Sequence, residues 1–450
     1  MPRARATAFS SRPGCGSCGR ADAVYYVLNH YPVRGLTNRY AERFNWNDTS
    51  RGSFRFSVNK ELDLKILYHH RIRSKDGQYV HIEELIQALR SLGHEVILVE
   101  PPAFNKAKFG DDAGVIAVLK RYCPGFVYEL MELAYSFVVY RRLRKAVLAH
   151  QPDCLYERYN LLQPAGVWLK RRFNLPMLLE VNAPVSEERA KYDGIALPWL
   201  ARWVERYTWR GADYVLAVTE VLAKRVEAAG VSRENMVVIP NGINPDDFGG
   251  EIDNEQAKRR LGLEGKLVLG FTGFVRDWHG LEKVIELVAS ADPGWHLLIV
   301  GDGPARDALE KRAAALNVTN RLTITGVIGR DQVAAHVAAF DIALQPAVVD
   351  YASPLKLFEY MALGRPVVAP AQPNIMEILT DGENALLFDP QDPRALGRAV
   401  ERLCRDAGLR HRIGEAARRT IHSRRLTWAD NATRVTELFA GLTGKREFHR

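Results

Sequence analysis

Cysteine is scarce in this sequence. Five residues spread over 450, an odd number, make no disulfide framework and point to a reducing compartment. Long apolar runs are missing as well: none approaches the ~18 residues that cross a bilayer as a helix. No repeat recurs at a solenoid period, and no D-x-D pair stands ready for a divalent ion. Acids are outnumbered: 62 Lys and Arg against 53 Asp and Glu leave a net charge of +9 and a pI of 9.2. That balance favours anionic partners, which include nucleotide phosphates, nucleic acid and an anionic membrane surface. What is present is ordinary for folded soluble domains, with 47% hydrophobic and 26% charged residues, and the length suffices for two or three cores.

The first acid is Asp22, after Arg3, Arg5, Arg12 and Arg20. An Arg-rich, acid-poor start has the composition of a transit peptide, yet no suitable amphipathic helix accompanies it. Cys15 and Cys18 have metal-ligand spacing without a second pair nearby. Residues 1–63 are therefore expected to be an extension outside the fold, which begins near Leu64.

The stretch Tyr351–Pro370, YASPLKLFEYMALGRPVVAP, organises the rest. Ser353 reads as a helix N-cap with Pro354 at the first helical position. Leu355, Phe358, Met361 and Ala362 form one apolar face. Gly364 suits a left-handed C-cap, and Val367–Ala369 is a short buried strand. The helix start offers free N–H groups and a positive dipole end to an anion. Lys356 adds a full charge that something negative would offset. Glu359, one turn on, can accept from two vicinal hydroxyls, as a ribose presents. A solvated Lys–Glu pair on an ordinary helix is the plain alternative.

At this stretch the chain resembles the family-four type of retaining glycosyltransferases, the glycosyl transferases group 1, which have the GT-B fold. Those enzymes carry E-x7-E followed by a small turn and PVVA. Glu359 and the residues to Ala369 match the second half, while the first Glu position is occupied by Tyr351, with Asp350 adjacent as a substitute. The resemblance covers about residues 64–440. It implies an α/β architecture of two doubly wound, Rossmann-like domains facing a central cleft: 64–245 on the acceptor side, 246–425 binding the nucleotide sugar, and 426–450 as a helix crossing back.

The local patterns agree with alternating strands and helices. Leu64–His70 reads as a strand, Ser74–Gln78 as a loop, Val80–Leu92 as a helix and Glu95–Glu100 as the next parallel strand. The resemblance gives Gly77 a place near the donor phosphates; a simple turn glycine is the alternative. Residues 115–150 look helical, with Arg141, Arg142, Arg144 and Lys145 after a run of aromatic and aliphatic residues. Two readings stand for them, a solvated basic face or a face for anionic lipid. Trp168–Arg172 repeats the pattern weakly. Leu175–Asn182 is a strand ending where many relatives have a His that touches the transferred sugar. Asn182 retains hydrogen bonding there but shuttles no proton. Asn235–Phe248 matches the last strand and hinge of the first domain, with Asn241-Gly242 as a turn signal.

In the second half, Leu267–Gly273 is a strand ending in small residues. Relatives have an Arg after that glycine and a Lys before the next, both on the donor diphosphate. Here Phe274 and His279 stand in those places, so Arg276 is expected to take the diphosphate, with Lys356 as reserve and His279 as a weaker, pH-sensitive contact. Gly301-Asp302-Gly303-Pro304 is not a dinucleotide fingerprint, because position 306 is Arg. It does match the family's strand-end turn beside the nucleotide. Glu377 is read as structural, and Arg410–Arg425 as solvated helix.

The resemblance implies transfer of a hexose from a nucleoside diphosphate sugar to a glycan or lipid-linked acceptor with retention, by a front-side path without a protein nucleophile. Arg276, Lys356 and Asn182 would be the catalytic groups. Gly77, Gly273, His279, Asp302, Ser353, Pro354, Leu355 and Glu359 would bind the donor. Cations and the Ser353–Leu355 amides would neutralise the leaving group in place of a metal; no metal or cofactor is expected. A cytoplasmic enzyme of polysaccharide or glycolipid synthesis, peripheral on the inner face of the plasma membrane, is the natural setting. Two alternatives remain: a nucleotide-sugar epimerase, and a non-catalytic nucleotide- or glycan-binding scaffold, for which the departures at Tyr351, Phe274, His279 and Asn182 argue. Nucleic-acid binding rests on charge alone.

Overall fold

The computed structural model describes residues 63–72, 77–101, 124–192, 194–248 and 252–447, within one compact unit. Cys15, Cys18 and most of the loop before Gly77 lie outside the described residues.

Among the described residues, twelve parallel strands form two sheets. In the first half, β1 (Lys65–His69), β2 (Glu95–Val99), β3 (Cys154–Arg158), β4 (Met177–Val181), β5 (Tyr214–Ala217) and β6 (Met236–Val238) pair in the order β2-β1-β3-β4-β5-β6. Between them run α1 (Gly77–Ser91), α2 (Gly125–His150), α3 (Ala165–Phe173), α4 (Val185–Tyr192), α5 (Pro198–Gly211) and α6 (Glu220–Ala228). β3 and β4 are buried at every residue, as central parallel strands covered on both faces must be. The helix α1 begins three residues ahead of the expected Val80. Its first turn is exposed at Gly77 and Gln78, so no apolar period marks it.

In the second half, β7 (Leu267–Thr272), β8 (Trp295–Val300), β9 (Leu322–Ile324), β10 (Ile342–Leu344), β11 (Val367–Pro370) and β12 (Leu386–Phe388) pair in the order β12-β11-β10-β7-β8-β9. The longer helices are α7 (Asn254–Arg260), α8 (Leu281–Ser290), α9 (Arg306–Ala315), α10 (Arg330–Val337), α11 (Leu355–Ala362), α12 (Ala395–Arg405), α13 (Ala407–Ser423) and α14 (Trp428–Glu447). Both sheets are doubly wound, as the alternating pattern and the GT-B resemblance imply. The order in which strands are added reverses between β1 and β3 in one sheet and between β7 and β10 in the other. The carboxyl ends at those reversals are where such sheets bind ligands.

Two chain segments join the halves side by side. Ile243 N–H donates to Leu426 O at 3.1 Å, and Trp428 N–H to Ile243 O at 3.1 Å. A Cβ on Gly242 would stand 2.7 Å from the Thr427 carbonyl carbon, so this crossing requires glycine. Its role is close approach rather than the turn that Asn241-Gly242 suggests. From there Trp428, Ala432, Val435 and Phe439 of α14 pack with Ile66, Tyr68 and Ile82 of the first half in one apolar cluster.

Candidate active site

The second sheet's reversal point carries the cations. β7 runs out into Gly273, and β8 into Gly301, whose φ is 136°. A Cβ on Gly301 would lie 2.2 Å from Gly273 O, so the two strand-end turns touch backbone to backbone. Tyr360 of α11 braces this point by accepting the Thr272 N–H at 2.8 Å. Thr272 Oγ1 and Gln345 Oε1, at the ends of β7 and just beyond β10, are buried without a hydrogen-bond partner among the described residues.

Lys356, in the first turn of α11, lays its Nζ 3.6 Å from the centroid of the Phe271 ring. It is half-buried, and desolvation pulls its pKa down to about 7, with Glu359 opposing. Arg276 holds its guanidinium between the rings of Phe274 and Trp278, 4.8 Å from each centroid. Neither cation has a carboxylate within ion-pair distance among the described residues. Glu359 is half-buried and likewise has no side-chain hydrogen bond there. Desolvation raises its pKa, while Arg330 and Lys356 pull it back.

His279 departs from expectation. Its Nδ1 accepts the Arg276 N–H at 3.1 Å, which leaves Nε2 as a neutral donor. Burial, then Lys356 and Arg276, bring its pKa down to about 3, so it does not titrate near neutral pH. Asp302 caps its own turn, accepting from Gly303 N–H at 2.8 Å, and pairs with Arg306 at 3.3 Å.

The Ser353 turn also differs. The helix α11 starts at Leu355, Pro354 occupies the cap position, and no side chain caps it. The Ser353 hydroxyl is used elsewhere: it accepts the Asn241 N–H at 3.2 Å, while Asn241 Nδ2 donates to Ser353 O at 2.5 Å. Leu355 faces Gly77, where an added Cβ would sit 3.6 Å from Leu355 Cδ1. Gly77 is the first residue of α1, not a loop glycine. Asp350 is no substitute for the missing Glu, because it pairs with Arg225 of α6 at 2.7 Å. Tyr351 is 7% exposed and packs into the core of the first half. Its hydroxyl donates to Glu188, and its carbonyl accepts from Thr219 Oγ1 at 2.9 Å. Glu377 is structural, accepting the N–H groups of Glu220 and Val221 at 2.8 and 3.2 Å at the start of α6.

Facing these, the first sheet's end holds a buried polar network that the sequence reading did not find. Glu180 of β4 accepts from Tyr156 OH at 2.5 Å and Arg158 Nη1 at 2.6 Å, and from Asn182 Nδ2. His81 Nε2 lies 3.0 Å from Glu180 Oε2, and His81 Nδ1 2.7 Å from Asn241 Oδ1. Burial raises the Glu180 pKa, but His81, Arg158 and the hydrogen bonds outweigh it and hold the carboxylate well below its usual range. Asn182 is thus tied to Glu180 through its amide nitrogen. A lone charge within the apolar run MLLEV was the available signal. Arg330 of α10 pairs with Glu84 of α1, a further tie between the halves.

Comparison with known proteins bears on the family and the fold. Residues 253–420 match the family Glycosyl transferases group 1, and residues 76–242 match the Glycosyl transferase 4-like domain. A 2-deoxystreptamine glucosyltransferase of Streptomyces kanamyceticus is 30% identical over 253 residues, covering 54% of this chain and 65% of that protein. A lipopolysaccharide core biosynthesis glycosyltransferase of Rhizobium meliloti is 29% identical over 264 residues, covering 58% of this chain and 75% of that one. In fold, the chain is similar to the Anabaena HepE protein solved with UDP and glucose, at 18% identity and a TM-score of 0.64, covering 84% of this chain and all of that one. With its two doubly wound domains and both family regions in place, the chain belongs to the glycosyl transferases group 1.

Proposed function

We propose that this chain transfers a hexose from a nucleoside diphosphate sugar to a glycan or lipid-linked acceptor, with retention of configuration. The observation that carries this is charge. Arg276 and Lys356 converge on the β7/β10 reversal, around His279, without a carboxylate at ion-pair distance among the described residues. A diphosphate is the anion that two such cations and a helix start accommodate. Glu359, whose carboxylate oxygens have no hydrogen bond among the described residues, takes the ribose hydroxyls. His279 donates from Nε2, and Gly273 lets the donor approach the backbone.

As the sugar–phosphate bond breaks, negative charge grows on the leaving group and positive charge on the sugar. Arg276 and Lys356 stabilise the first. Asn182 and the Glu180 network line the opposite side, where the acceptor is positioned. Residues 64–245 form the acceptor side and 246–425 the donor side. The lipopolysaccharide relative and the basic segments of the first domain support an acceptor presented at the cytoplasmic face of a membrane.

Thermal-shift measurements with UDP, GDP, ADP and their sugar conjugates test this reading, since bound ligand raises stability by mass action. The expected result is a rise with one nucleotide family that Glu359→Ala abolishes, followed by transfer of the matching radiolabelled sugar. No rise with any of them would favour the non-catalytic scaffold.

A further inference from the structure

We propose that the outer face of α2, α3 and α5 docks this protein on an anionic lipid bilayer. After Pro198, the exposed positions of α5 fall on one helical stripe: Trp199, Arg202, Trp203, Arg206 and Arg210, without an acid. Trp199 is 67% exposed and Trp203 60%. The stripe continues across neighbouring helices by direct contact. Trp203 stacks on Tyr207 at 5.7 Å, Arg171 of α3 lies 5.0 Å over the Tyr207 ring, and Trp168 of α3 meets Phe137 of α2 at 5.2 Å.

The helix α2 is apolar on both sides. Val139, Leu143 and Val147 face the core, while Phe126, Leu130 and Phe137 face outward, followed by exposed Arg141 and Arg144. A helix apolar all round is normally buried on all sides. Among the described residues the outward side is exposed and carries no exposed acid.

Charge and composition select the occupant. Indole rings beside arginines suit the headgroup boundary, where the ring is half-apolar and the cation meets lipid phosphate. A soluble polyanion would gain from the arginines but nothing from outward Leu130 and Phe126. A second copy joined by two-fold symmetry would set the arginine rows against each other. The inference deepens the proposed function, because a lipid-borne acceptor places the enzyme on a membrane, but docking itself needs no transfer.

The test is co-sedimentation of the full chain with vesicles of phosphatidylcholine alone and of phosphatidylcholine mixed with phosphatidylglycerol. Binding is expected only to the mixed vesicles, weaker at high salt. Each of Arg206→Gln and Arg210→Gln should weaken it about fivefold, the equivalent of one basic residue at an anionic surface. The pair Trp199→Ser and Trp203→Ser should abolish it, along with the blue shift of tryptophan emission. Protein that stays in solution with mixed vesicles at low salt overturns the proposal, as does a Trp pair variant that binds like the wild type. So does a face whose variants instead lose a dimer in sedimentation, or lose heparin binding without lipid binding. An intact nucleotide thermal shift in the variants shows that they fold. Vesicle binding without any nucleotide shift would refute the transferase reading and leave the docking face standing.

Discussion

The two sheet ends that face each other treat charge in opposite ways. At the end of the first sheet, Glu180 is buried and takes bonds from Tyr156, Arg158 and Asn182, with His81 beside it. That side balances its own charge. At the end of the second sheet, Arg276 and Lys356 rest on aromatic rings, and Glu359 has no side-chain partner among the described residues. Aromatic faces satisfy a cation only in part. The balanced side holds a shape, and the unbalanced side leaves two cations for the anion of the proposed function.

The largest effect is expected where balance is broken. Glu180→Ala leaves Arg158 buried without its carboxylate and should cost about 3–5 kcal/mol in urea unfolding. A cost near zero would mean that the first sheet's network is not structural. On the other side, Lys356→Met should lower kcat/KM about 10²-fold or more while leaving the fold intact.

The pH dependence of Lys356 sharpens the contrast. The amine loses charge as pH rises through about 7, so affinity of the wild type for the nucleoside diphosphate that the thermal-shift panel selects should fall over that range, and the slope should vanish in Lys356→Met. Stability moves the other way. The folded amine gives up its proton near 7 and the unfolded one near 10.5, so between those values the unfolded chain holds more protons and stability rises with pH. Chemical denaturation across that window, wild type against Lys356→Met, reads the sign.

Asn241 links the two sides, since it bonds both His81 and the Ser353 turn. Asn241→Ala should cost about 2 kcal/mol by leaving buried groups unpaired, and should raise the donor KM more than it lowers kcat. The smallest change is expected at Glu377→Gln. It weakens a carboxylate on the α6 N-terminus, about 1 kcal/mol in unfolding experiments, without altering donor affinity.

Much of this molecule was legible from residue order. The buried strands are short apolar runs, the helices have a 3.6-residue period, and Gly364 takes the left-handed φ of 62° that stops α11. The stretch from Glu359 to Ala369 was enough to indicate the family. Local pattern failed where a side chain spends its hydrogen bond far away in sequence. Ser353 looked like a helix cap but is used by Asn241, and Asp350 looked like a spare acid but pairs with Arg225. His81 of α1, Glu180 of β4 and Asn241 of the loop after β6 meet from distant parts of the chain, and no spacing rule connects them. Sequence alone determined the alternation of strands and helices, the placement of small residues at strand ends and the excess of positive charge, because each depends on neighbours along the chain. Tertiary structure decided which cations lack partners, which Tyr is buried and which helix face stays apolar and open, because those follow from how much water the fold removes and what it puts in its place.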